Sequence, residues 1–107
     1  MIKVTFYYSK QGAPLGFNFR GHSGYAQSGS DIVCAAVSSV AYMTANTIIE
    51  VMGISADAKV DENGEMTLLI PEECADKTND ILSGLELHRK ELSGQYPKNV
   101  TITTTEV

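Results

Sequence analysis

The chain has 107 residues, enough for one domain (1–107) and too few for a separate substrate or cofactor module. Its net charge is −5, from 8 Lys+Arg against 13 Asp+Glu, with no basic run. That argues against direct nucleic-acid binding, since phosphate backbones are held by clustered Lys and Arg. No stretch approaches the ~20 apolar residues of a membrane span.

The N-terminal segment has no secretory pattern. The two cysteines, Cys34 and Cys74, form no CxxC pair, so free thiols and a reducing, cytoplasmic setting are expected. A domain this small has a thin core, which a second subunit would help to cover.

Ile2, Val4 and Phe6 alternate with Lys3 and Thr5, which predicts a strand from Ile2 to Tyr8. After the turn Gln11-Gly12-Ala13-Pro14, a second strand is expected over Leu15–Gly21, with Leu15, Phe17 and Phe19 on one face. Residues 21–30, Gly-His-Ser-Gly-Tyr-Ala-Gln-Ser-Gly-Ser, show neither helical nor strand periodicity and read as a surface loop. Asp31 or Ser30 is then a suitable N-cap. Val33, Ala36, Val37, Val40, Thr44, Ile48 and Val51 recur at three- and four-residue steps, predicting an apolar helix over 32–52 stopped by Gly53.

Two short strands, Ala58–Asp61 and Glu65–Ile70, flank Glu62-Asn63-Gly64, a hairpin signal. Pro71 and two glutamates open a second helix, expected from about Glu73 to Leu92 with Ile81, Leu82, Leu85 and Leu92 inward. Val100, Ile102 and Thr104 mark a last strand. The order β-β-α-β-β-α-β predicts an α+β two-layer sandwich: a mostly antiparallel sheet with two helices on one face.

His22 at a strand end and Cys34 near a helix start are the candidate chemistry. A nucleophilic cysteine needs thiolate character and a nearby base. With Asp31 as N-cap, Cys34 falls in the first helical turn, where free amides and the helix dipole favour a thiolate. His22, across the short loop, would take its proton and return it to a leaving amine. Ser38 lies one turn past Cys34 on the same face.

Position alone leaves plainer readings open. A cysteine in an apolar helix is commonly a small core residue, and a strand-end histidine a surface one. His22, Cys34, Cys74 and His88 lack the close pairing of a zinc site, and no dinucleotide or P-loop fingerprint is present. No cofactor or metal is expected. Cys74 reads as packing, and His88 as part of a solvated helix face.

The elements Gly21-His22-Ser23-Gly24-Tyr25-Ala26 and Gly29-Ser30-Asp31-Ile32-Val33-Cys34-Ala35-Ala36-Val37-Ser38 closely resemble the bacterial ribosomal-processing cysteine protease family. The resemblance implies a His–Cys dyad of His22 and Cys34, supported by Gly21, Asp31 and Ser38. It implies removal of a short N-terminal extension from ribosomal protein twenty-seven of the large subunit, at a site after a hydrophobic, aromatic-containing stretch, leaving a basic mature terminus. It also implies a homodimer and a flexible loop, here Ser23–Ser30, over the active site. The competing class is a non-catalytic ribosomal-protein binding or ribosome-assembly factor with Cys34 buried. First-turn amides, including that of Cys34, are the expected oxyanion donors.

Overall fold

A computed structural model describes residues 2–20, 28–62, 64–96 and 100–106, with residues 28–34 and 100–106 described by their backbone alone. Two strands, β1 (Ile2–Tyr8) and β2 (Pro14–Arg20), pair antiparallel, with Val4 opposite Phe19 and Phe6 opposite Phe17. Their alternation sends Ile2, Val4, Phe6, Leu15, Phe17 and Phe19 into one core, none of them more than 6% exposed. The three phenylalanines interlock. Phe6 meets Phe19 edge-on at 6.4 Å, and Phe17 lies 4.9 Å from Phe19. Such ring pairs add about 0.5–1.5 kcal/mol each beyond burial.

The other strands are β3 (Asp57–Val60), β4 (Met66–Leu69) and β5 (Val100–Glu106). The sheet order is β3-β4-β2-β1-β5. Three of its pairings are antiparallel, and β5 joins β1 in parallel. The two helices are α1 (Ser28–Asn46) and α2 (Ala75–Gln95). They bury Val37, Ala41, Ala45, Leu82, Leu85 and Leu92 in the same cluster as the inward strand residues. One face of the sheet therefore carries both helices, as the element order predicts.

Between β3 and β4 the Gly64 N–H donates to Asp61 O at 3.1 Å, and Gly64 has φ +83°. That is a three-residue hairpin loop ending on a left-handed glycine. Pro71 leads into a 3₁₀ turn, Glu72–Cys74, before α2 begins, slightly later than the expected Glu73. Cys74 is half-buried against the core, as its packing role requires.

Both ends of the first helix differ from expectation. The first helix turns into a π turn at Thr47–Val51, where Met52 N–H donates to Thr47 O at 2.8 Å. An i→i+5 closure spends an extra residue per turn, so Val51 rotates off the buried stripe and is 80% exposed. Ile48 stays fully buried, and Gly53, at φ +71°, ends the segment. Ile54 then returns to the core and donates its N–H to Ile48 O at 3.0 Å. At the other end α1 begins at Ser28, three residues ahead of Asp31. Ser30 and Asp31, the expected caps, therefore both lie inside the helix.

Candidate active site

The β2 strand delivers the chain to Arg20, and α1 takes it up again at Ser28. Gly21, His22 and the loop up to residue 27 lie outside the described residues. Asp31 and Cys34 are placed by their backbone in α1, as its fourth and seventh residues. Ser38, one turn beyond Cys34, is exposed, while its neighbour Val37 is buried at 3%.

The early helix start corrects two expectations. Asp31 lies within the helix and is not its N-cap, and Cys34 belongs to the second turn. In a helix only the first four amides lack an internal acceptor. The Cys34 amide is past that set, so it is not among the free first-turn donors. The helix dipole, which fades within the first turn, also acts more weakly at Cys34 than at a true helix start. The helix terminus alone therefore gives the Cys34 thiol little help toward a thiolate. Ser28, Gly29 and Ser30 belong to the helix, which shortens the expected loop Ser23–Ser30 at its far end.

The strands fix what stands beside this region. Phe19 is level with Met66 on β4, and Met66 with Val60 on β3. The end of β2 leading to His22 therefore shares one end of the sheet with the β3–β4 hairpin tip. Asn18, only 8% exposed, ties these strands together on the far side of the sheet. Its Nδ2 donates to Glu65 Oε2 and to Thr67 Oγ1, both at 2.8 Å.

Arg89 departs from the solvated helix face expected of His88, Arg89, Lys90 and Glu91. It lies on the inward stripe with Leu82, Leu85 and Leu92, only 8% exposed. Its guanidinium carbon sits 5.5 Å above the Phe6 ring centre. Burial pushes its pKa below the usual arginine value, and Glu86 opposes that shift. Its Nε has no hydrogen-bond partner among the described residues. Its spacing, three and four residues from apolar neighbours, was the available signal. Among the described residues no three His, Cys, Asp or Glu side chains gather as a metal site, and no helix is long and apolar enough to cross a membrane.

The class that the fold and its relatives define is an α+β cysteine protease. The chain belongs to the cysteine protease Prp family, whose family model matches residues 1–101. It is 27% identical over 109 residues to the ribosomal processing cysteine protease Prp of Bacillus subtilis, covering 97% of each chain. Its fold matches the essential ribosomal processing protease Prp from S. aureus in complex with a substrate peptide. That match has a TM-score of 0.88 and 23% identity, and covers 97% of this chain and 99% of that one. The same S. aureus protease with a covalently linked product peptide matches at a TM-score of 0.84 and 25% identity, again over 97% and 99% of the two chains.

Proposed function

We propose that this protein is a site-specific endopeptidase that trims the N-terminal extension of ribosomal protein twenty-seven of the large subunit. The observation carrying this reading is the Gly21-His22 and Asp31-Ile32-Val33-Cys34 pattern, set at the β2-to-α1 crossing of a cysteine-protease fold. The covalently linked product peptide on the S. aureus relative supports an enzyme-bound intermediate.

In the proposed mechanism the Cys34 thiolate attacks the scissile carbonyl, and the peptide C–N bond breaks as His22 protonates the leaving amine. Water then attacks the thioester with His22 as base, releasing the acid and restoring the thiol. Exposed Ser38 is available to the substrate one turn beyond Cys34. Gly21 and Asp31 support the dyad, one residue before His22 and three before Cys34 in sequence. The leaving product begins with the basic mature terminus, and the hydrophobic, aromatic-containing stretch precedes the cut.

The protein acts in the cytoplasm as a homodimer. Support for self-association is the apolar outer side of α1 and its π turn. There Tyr42 (45% exposed), Met43 (54%) and Val51 (80%) stand in solvent.

The test is incubation with the extended ribosomal protein, with N-terminal sequencing of the product. The parent is expected to yield one new terminus. Cys34→Ala should abolish cleavage, and His22→Ala should slow it by about 10²–10⁴-fold. Intact substrate beside folded parent protein would favour the binding-factor reading.

A further inference from the structure

At one edge of the sheet, β3 has a neighbour on one side only among the described residues, and all four of its residues are exposed. The hydrogen-bond alternation of an antiparallel pair shows which of its backbone groups are open. Asp61 N–H donates to Glu65 O at 3.0 Å, which sets Asp61 as a bonded position. Lys59 opposite Thr67 and Asp57 opposite Leu69 follow at steps of two. The N–H and C=O of Ala58 and Val60 therefore point away from β4, toward the open edge.

Over the β3–β4 pair lies an open groove of about 600 Å³, lined by Ala58, Lys59, Val60, Asp61, Glu65 and Thr67. Val60 is 49% exposed. This edge and the end of β2 that leads to His22 share one end of the sheet, since Val60 is level with Met66 and Met66 with Phe19.

Charge selects the occupant. Residues 57–65 hold four carboxylates (Asp57, Asp61, Glu62 and Glu65) against Lys59 alone. A second copy pairing β3 to β3 would set like charges together, which disfavours the contact. A basic extended chain is attracted instead. A protein that seats on ribosomal RNA must carry Lys and Arg against its phosphates. The part retained after processing is thus the basic part, and it lies C-terminal to the cut.

We propose that β3 takes up the downstream segment of the ribosomal-protein substrate as an added strand. Backbone hydrogen bonds form at Ala58 and Val60, and the acidic hairpin supplies charge complementarity. This rests on the proteolytic reading above and assigns part of its substrate specificity. Strands lie about 4.8 Å apart, so a strand added outside β3 runs roughly 15 Å from β2.

The experiment measures cleavage of substrate peptides carrying one backbone N-methyl group at successive downstream positions. Strand addition predicts a rise in KM at alternate positions only, about five- to tenfold for each lost hydrogen bond. Val60→Pro removes an outward N–H, a placement that edge strands tolerate. It should raise KM for the unmodified peptide, with the unfolding midpoint and the alkylation rate of Cys34 unchanged. Ala58→Pro is the second variant, and Glu62→Lys should weaken the salt dependence of KM.

Equal effects at every N-methyl position, or none, would overturn the proposal, as would parent-like KM in both proline variants. A change of oligomeric state in those variants without a change in KM would assign the edge to a second copy and overturn it equally. Failure of the parent to cleave any peptide would instead refute the proteolytic reading itself.

Discussion

Replacing Gly16 by alanine puts a single methyl group where the sheet has no room for it. An ideal Cβ at this position would lie 1.9 Å from the Leu68 carbonyl oxygen and 2.9 Å from its carbon. Both atoms belong to the backbone of β4, so no side-chain rotation relieves the contact. The strands themselves must part. Gly16 stands opposite Leu69 in a register that continues to Phe19 opposite Met66, and Ile70 N–H donates to Leu15 O at 2.9 Å beside it.

Losing one or two ladder bonds costs about 1 kcal/mol each. Shifting Leu15 and the fully buried Leu68 adds a packing strain of about 1–3 kcal/mol. The sum, about 2–5 kcal/mol, is a large part of the 5–15 kcal/mol that holds such a domain together. It should lower the melting midpoint by roughly 10–20 °C, read by circular dichroism. Gly84→Ala is the matched control. A Cβ there meets nothing within 4 Å, and alanine gains about 0.8–1 kcal/mol over glycine inside a helix. If Gly16→Ala melted within a few degrees of the parent, the close approach of β2 to β4 would be refuted.

Arg89 offers a second test. Arg89→Met should be neutral or stabilising by urea unfolding, because it relieves the burial of a charge while keeping side-chain bulk over Phe6. Arg89→Ala should destabilise by about 2 kcal/mol through lost packing. The paired change Met43→Glu and Val51→Glu should halve the solution mass in sedimentation, if the outer side of α1 joins two protomers.

The strands were legible because each buries one side and alternates accordingly. Ile2–Tyr8 was bounded to the residue, and the Gly64 turn announced the β3–β4 hairpin. What the pattern lacked was any signal for choices made by the backbone as a whole. Val51 fits the helical stripe on paper, and only the π turn carries it into solvent. Ser30 and Asp31 carry capping side chains but lie inside α1, which moved Cys34 from the first turn to the second. The parallel seating of β5 beside β1, and hence the open edge at β3, depends on contacts distant in sequence. The candidate site was legible through side-chain identity. His22 and Cys34 are chemically specific residues in a dense motif, whereas spacing alone favoured a core cysteine.

The shift of Cys34 away from the helix terminus makes the His22 partnership the central claim, and thiol titration addresses it most directly. The rate of iodoacetamide alkylation at Cys34 is followed against pH by peptide mapping, with Cys74 as the internal reference. A cysteine paired with histidine should react well below the ordinary thiol midpoint of about 8.5, and His22→Ala should return it to that value. If Cys34 titrated near 8.5 or above in the parent, unmoved by His22→Ala, the dyad would be contradicted.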